Sequence, residues 1–215
     1  MSTAELNRKY TPLNPEERIA KLYTDFSKIL LTSSFGTTAI YLLHLFNRIQ
    51  PSQAIHFLDT TYHFPETLAY KKLLSESFPL NVIELKGDAW RNAFTKTDRT
   101  WEKDPDLCCS VNKVEPLETI KPAFDVWVSG LMKTQNAFRS ELPVFEERNG
   151  ILKFYPLLDQ TEQDVNRYIQ INHLPEHPLK VSGYHSVGCT HCTTRGNSRE
   201  GRWINKSKTE CGLHL

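Results

Sequence analysis

The sequence predicts an α/β protein with a mainly parallel sheet covered by helices on both faces. Three observations predict it. Short apolar runs alternate with segments of helical period: Ile29 to Leu31, Ala54 to Leu58, Val82 to Leu85, Asp125 to Ser129 and Ile151 to Leu157 read as strands. Strands that alternate with helices imply right-handed crossovers, and so parallel neighbours. Several of the runs end in small polar residues, and such sheets bind ligands outside the carboxyl ends of their strands.

Each element has its own signal. Asn14 is a good N-cap, Pro15 fits the first helical position, and Glu16 and Glu17 suit the positive end of the helix dipole. Ile19, Leu22, Tyr23 and Phe26 then recur at helical spacing. The strand Ile29 to Leu31 runs into the turn Thr32-Ser33-Ser34-Phe35-Gly36-Thr37, and the strongly apolar Ala39 to Ile49 reads as a core helix. The second strand ends at Asp59-Thr60, with a helix from about Pro65 to Phe78 after it. The stretch from Gly87 to Asp106 has no clear period; Leu107 to Leu117 is expected to be a helix. The strand ending at Ser129-Gly130, the strand from Ile151 and a helix over Thr161 to Asn172 complete the pattern. Beyond His173 the periodicity stops. Residues 1–215 are read as one domain, with an α/β core over 14–173 and an irregular tail over 174–215 that carries chemistry.

A chain of 215 residues is long enough for one domain with a full core. Its formal charge is +1, from 26 basic and 25 acidic residues, which argues against a general nucleic-acid or membrane-surface protein. Met1 to Tyr10 is polar, without the apolar core of a signal peptide, and no stretch approaches the ~20 apolar residues that span a bilayer. A soluble, cytoplasmic protein is expected, with neither a nucleic acid nor a membrane as partner.

Five cysteines are present: the adjacent pair Cys108 and Cys109, the C-x-x-C of Cys189 and Cys192, and the isolated Cys211. In a reducing compartment such groupings suggest metal binding or catalysis before structural disulfides. Four thiolates match a four-iron cluster. A zinc site of four cysteines is a second reading, although such sites usually use two C-x-x-C knuckles. A redox-active C-x-x-C beside a buried pair is a third. The turn Ser33 to Thr37 reads either as a phosphate or sulfate cradle or as an ordinary strand–helix turn. It lacks the Walker pattern. Cys211 reads as a leftover thiol or as a nucleophile on an arm near the chain end. Arg195, Arg199, Arg202, Lys206 and Lys208 precede it, and nearby cations favour a reactive thiolate.

Together these pieces resemble the assimilatory adenylyl-sulfate and phosphoadenylyl-sulfate reductases, from about Lys28 to the last residue. The matching stretches are Thr32-Ser33-Ser34-Phe35-Gly36; Leu58-Asp59-Thr60 with Phe64-Pro65-Glu66-Thr67; Cys108-Cys109 with Lys113-Val114-Glu115-Pro116-Leu117; Ser186-Val187-Gly188-Cys189 with Cys192-Thr193; Arg199-Glu200-Gly201-Arg202-Trp203; and Glu210-Cys211-Gly212-Leu213-His214. The resemblance implies a Rossmann-like, doubly wound fold of the adenine-nucleotide α-hydrolase type. It also implies a [4Fe-4S] cluster on Cys108, Cys109, Cys189 and Cys192, and Cys211 as the nucleophile that takes the sulfonate. Lys113 and His214 are expected beside it. Ser33, Ser34, Phe35, Gly36, Asp59, Thr60, Ser129, Gly130, Lys133, Arg139, Arg199 and Arg202 are expected to bind the nucleotide. In one stretch the chain departs from the family: Met132 stands where a cation is common, and Lys133 keeps one.

The cluster-bearing branch implies adenylyl sulfate as the substrate; a phosphoadenylyl-sulfate reductase with a cluster, or dual specificity, is the alternative. A zinc-stabilised nucleotide-binding module without catalysis is the reading from another class. Electrons are expected from a separate thioredoxin or glutaredoxin. The sequence leaves open whether the chain forms a homo-oligomer.

Overall fold

The computed structural model describes residues 1–204 and 208–214. Lys206 of the basic run and the terminal Leu215 lie outside the described residues. Helices α1 (Thr3–Tyr10) and α2 (Pro15–Asp25) precede strand β1 (Ile29–Ser33), helix α3 (Ala39–Ile49), strand β2 (Ala54–Asp59), helix α4 (Pro65–Ser77) and strand β3 (Asn81–Lys86). Then come α5 (Ala89–Thr97), α6 (Thr100–Lys103), α7 (Pro105–Cys109), α8 (Glu115–Ile120), β4 (Val126–Val128), α9 (Ala137–Ser140), β5 (Phe145–Arg148), β6 (Ile151–Phe154) and α10 (Glu162–Ile171).

Among the described residues, six strands form one sheet in the order β3-β2-β1-β4-β6-β5. All pairs are parallel except β5 with β6. The expected mainly parallel sheet is therefore present. Inner strands β1 and β4 are apolar because helices cover both faces, and the helix α3 is buried at Ile40, Tyr41, Leu42, Leu43, Leu45 and Phe46. The order reverses between β1 and β4: β2 follows on one side of β1, and β4 joins on the other. A cleft at their carboxyl ends is the physical consequence.

Four local features differ from the expected pattern. The polar start is helix α1, with a Ser2–Glu5 capping box and with Leu6 and Tyr10 buried. Strand β5 was not expected, because Glu146, Glu147 and Arg148 hide its period; as a short, charged edge strand it needs to bury only Phe145 fully. The aperiodic stretch after Gly87 holds α5, capped by Asp88, and the single turn α6.

The fourth feature is the expected helix over 107–117. It is broken into α7 and α8 by a π-helical turn, Ser110–Val114, in which the Glu115 N–H donates to the Ser110 carbonyl. Pro116 gives a reason: it has no N–H, and in a regular helix its ring would press on the carbonyl four residues back. The wide turn is packed from outside by Gly87, where a Cβ would lie 2.6 Å from the Val111 carbonyl oxygen. Among described residues the tail beyond Leu174 has one short helical turn, Thr190–Cys192, yet it buries Leu174, Leu179, Val187 and Trp203. It adds to the core as well as to the site.

Candidate active site

The cleft at the β1/β4 switch encloses about 260 Å³. Small-ligand pockets start near ~300 Å³, so the space lies just under the low end of that range. Ser33, Ser34 and Gly36 line it from the end of β1, Ser129 and Gly130 from the end of β4, and Lys113 from the π turn. The tail closes it with Arg199, Arg202, Trp203, Cys211 and His214. Helix α3 points its N-terminus here: Thr37, Thr38 and Ala39 line the cleft, and no side chain caps the helix. Uncapped N–H groups and the helix dipole favour an anion.

Five buried polar atoms of the lining, among the described residues, have no partner: His63 Nδ1, Ser129 Oγ, Arg199 Nε, Trp203 Nε1 and His214 Nδ1. Buried polar groups are normally satisfied, so five orphans around one cleft, with Arg199 Nε and Trp203 Nε1 able only to donate, call for a polar ligand that accepts hydrogen bonds from at least these two. Trp203 was not among the expected site residues. Its backbone is left-handed, with φ 52°, which is costly for a bulky side chain. Its ring is flanked by Arg202 at 4.4 Å, Arg199 at 5.7 Å and Lys208 at 5.9 Å. Arg202 lies directly over Gly188, where a Cβ would stand 2.3 Å from a guanidinium nitrogen, and its Nε donates to the Cys192 carbonyl at 3.2 Å.

Beside the cleft, a smaller cavity is lined by all four expected ligand cysteines, with Thr60, Tyr62, Trp101, Asn112 and His191. Helix α7 supplies Cys108 and Cys109, and the tail supplies Cys189 and Cys192. The loop after β2 holds the tail in place: Thr190 N–H donates to the Tyr62 carbonyl at 2.8 Å, and Thr60 Oγ1 lies 3.4 Å from Cys189 Sγ. All four cysteines are free thiols. No group of three or more His, Cys, Asp or Glu side chains among the described residues is arranged to hold one metal ion.

Burial pushes the Cys108 thiol up to about 12, and Cys109, Cys189 and Cys192 push it the same way. Burial also raises Cys109 and Cys192. Cys189 is lowered: burial opposes its ionisation, but Lys113, the Thr60 hydroxyl and Arg202 outweigh it. Lys113 and Cys189 line both cavities. Burial works against the Lys113 charge, yet Cys189, Cys109 and Cys211 hold its ammonium above the usual lysine range.

Some expected binding residues are elsewhere. Phe35, at φ 50°, turns its ring into the core against Phe57, 5.6 Å between centroids, and is fully buried away from the cleft. Asp59 pairs with Lys86 at 3.2 Å and accepts from the Thr61 N–H, outside the cleft lining. Thr60 faces the cysteine cavity instead of the cleft. Lys133 is exposed and lines neither cavity, whereas Met132 is buried in the cleft wall. Arg139 lines the cleft, but its guanidinium is held by Glu210. His214 was expected to neutralise charge; burial, then Arg139, Lys153, Arg199 and Arg148, hold it well below the usual histidine range, so it is a neutral imidazole. It stacks on Trp127, 5.3 Å between centroids.

Fold and site define a class: an α/β protein built to hold a small anionic ligand beside a thiol. Residues 28–195 match the phosphoadenosine phosphosulfate reductase domain. A relative from Bacillus mycoides (strain KBAB4) named adenosine 5'-phosphosulfate reductase is 41% identical over 197 residues, covering 87% of this chain and 84% of that one. A relative from Gloeobacter violaceus named phosphoadenosine 5'-phosphosulfate reductase is 36% identical over 222 residues, covering 97% and 92%. The crystal structure of phosphoadenylyl-sulfate reductase from Candida auris, a phosphate complex, superposes with a TM-score of 0.78 at 28% identity, over 89% of this chain and 96% of that one. The chain belongs to the phosphoadenosine phosphosulfate reductase family, and is an oxidoreductase enzyme of that family. No helix among the described residues is long and apolar enough to cross a membrane.

Proposed function

We propose that this enzyme reduces adenylyl sulfate to sulfite and AMP through an S-sulfonated Cys211, in the cytoplasm, as a step of sulfate assimilation toward cysteine. The observation that carries the reading is the company Cys211 keeps. One cleft holds this thiol with Lys113, Arg199, Arg202 and the unpaired donors of Ser129 and Trp203.

The chemistry follows from that arrangement. The Cys211 thiolate attacks the sulfate sulfur, the S–O bond to the phosphate breaks, and AMP leaves with the electron pair. Lys113, Arg199 and Arg202 stabilise negative charge on the leaving phosphate and on the transferred sulfonate. The uncapped start of α3 and the Ser33 to Gly36 turn cradle the phosphate. Neutral His214 offers one ring N–H without adding charge. A reduced thioredoxin or glutaredoxin then attacks Cys211 Sγ, sulfite departs, and the donor's second thiol resolves the mixed disulfide.

Cys108, Cys109, Cys189 and Cys192 fit a [4Fe-4S] cluster. Thiols spread around a cavity suit a cube with one ligand per corner better than one zinc ion, which needs four ligands aimed at a point. Burial and the neighbouring cysteines raise the Cys108 thiol, so a metal's charge would favour its ionisation. Bound there, the cluster would supply structural support and an electrostatic field beside Lys113.

Adenylyl sulfate is preferred to the 3'-phosphorylated form in this reading. The second reading has a relative named for that substrate in its favour. Against it, Met132 lies in the cleft wall, Lys133 is outside it, and Arg139 is engaged by Glu210. An extra phosphate without a cation loses charge-assisted bonds worth roughly 1.5–3 kcal/mol each, or about ten- to hundred-fold. We expect kcat/KM to favour adenylyl sulfate by about tenfold or more at fixed salt with one donor. Equal values would mean dual specificity. A clear preference for the 3'-phosphorylated nucleotide would overturn the assignment.

A further inference from the structure

Glu210, the residue before the candidate nucleophile, is fully buried. Its carboxylate accepts from Arg139 Nε at 2.5 Å and Nη2 at 2.9 Å, from Asn136 Nδ2 at 2.7 Å and from Arg199 Nη2 at 3.1 Å. The remaining Arg139 nitrogen, Nη1, donates to the Gln135 side chain. Every nitrogen of the Arg139 guanidinium is thereby engaged within the protein, and the side chain is 5% exposed. These bonds use three of the five guanidinium N–H groups, and burial of the side chain restricts what the other two can reach.

We infer that Arg139 and Glu210 are positioning residues: the pair seats Cys211 in the cleft and aims Arg199, and Arg139 does not bind the nucleotide. Two further contacts on the other side of Cys211 fit the same role. Arg148 donates to the His214 carbonyl at 3.0 Å, and Lys153 Nζ donates to the Leu213 carbonyl at 3.3 Å. The thiol is thus held between two anchored points, Glu210 before it and Leu213-His214 after it. Glu210 also fixes Arg199: Nη2 is bound to the carboxylate and lies 3.4 Å from the Thr209 carbonyl, while Nε stays buried and unpaired among the cleft residues. A bidentate arginine–carboxylate pair is rigid, and small losses of nucleophile placement are costly in rate. Glu210 further cancels one of the two guanidinium charges packed against it. Burial works against its ionisation, but the Arg139 bonds hold the carboxyl below its usual range.

The inference rests on Cys211 being the nucleophile, so its test includes readouts independent of turnover. The variants are Arg139→Met, Glu210→Gln and the double variant, each as cluster-loaded enzyme. The first readout is the dissociation constant for AMP. The second is the rate at which iodoacetamide alkylates Cys211, assigned by mass spectrometry. The third is single-turnover formation of S-sulfonated Cys211 from adenylyl sulfate.

We expect Arg139→Met to change AMP affinity no more than Glu210→Gln does, because any loss acts through the aim of Arg199 and not through a contact of Arg139 with the nucleotide. The alkylation rate should change at least about fivefold, and single-turnover formation should fall about ten- to hundred-fold. The double variant should be no worse than the weaker single variant, since residues acting as one unit are not additive. Each single variant leaves one buried charge of the pair without its partner, whereas the double variant leaves neither, so where a single variant fails to fold the double variant decides the alkylation arm. An AMP dissociation constant raised tenfold by Arg139→Met, with unchanged alkylation, would make Arg139 a nucleotide ligand and overturn the inference. Additive losses in the double variant would do the same. If the parent enzyme forms no S-sulfonated cysteine, the functional proposal fails, and the alkylation and coupling arms still decide whether the pair seats Cys211.

Discussion

Cys211→Ser should abolish sulfite formation, with a loss of roughly 10⁴-fold or more, while AMP still binds. Serine keeps the size of the side chain and the seat that Glu210 and His214 provide. It fails for two chemical reasons. A hydroxyl is hardly ionised at neutral pH, so attack on the sulfate sulfur is lost. A sulfonated serine, were one formed, has no sulfur for a donor thiol to attack, so the second half of the cycle is lost too. Steady-state assays for sulfite and for AMP check both halves. A variant that keeps a tenth of the parent rate would remove Cys211 from the mechanism.

Lys113→Met should lower kcat/KM by about 10²- to 10³-fold and leave iron content near the parent's. The side chain lines both the cleft and the cysteine cavity, and it faces Cys189, Cys109 and Cys211. Methionine keeps most of the apolar stem and removes the charge. What is lost is a cation placed to meet the negative charge that develops as AMP departs. Lysine is needed because the site is wrapped in a π turn that delivers one ammonium between two cavities; Arg199 and Arg202 approach from the tail and cannot replace it. Iron and kinetics should be measured on the same preparation. A drop of less than tenfold would show that this charge takes no part in the reaction, and loss of iron would mean that Lys113 supports the cysteines themselves.

The fold was legible wherever burial repeats with a regular period. The runs behind β1, β2 and β4 are apolar because helices cover both faces, and α3 reads as a core helix for the same reason. Strand β5 was hidden because an edge strand can carry Glu146, Glu147 and Arg148 without burying their charge. The π turn could not be read from spacing; it depends on Pro116 and on the close approach of Gly87.

In the site, strand ends were informative and single residues were less so. Ser33, Ser34, Gly36, Ser129 and Gly130 line the cleft because ligands meet parallel sheets at carboxyl ends. Met132 is the extended residue before a 3-10 turn, Lys133–Gln135, and enters the cleft wall, while Lys133 opens that turn and faces solvent. The left-handed backbone at Phe35 turns a motif residue into a core residue. Arg139 and Glu210 meet across 71 positions of sequence, a pairing no local pattern encodes. Trp203 stood inside a recognised motif, but its unpaired indole N–H appears only once the tail is folded over the sheet.

The central claim is that the sulfonate passes through Cys211. The direct measurement is to mix the purified enzyme with adenylyl sulfate in the absence of any thiol, digest it, and locate the modification by mass spectrometry. The account predicts one sulfonate per chain on the peptide containing Cys211, formed in step with one AMP and released as sulfite when reduced thioredoxin is added. A sulfonate on a different cysteine, or sulfite produced under turnover while Cys211 stays unmodified in every trapped sample, would contradict it.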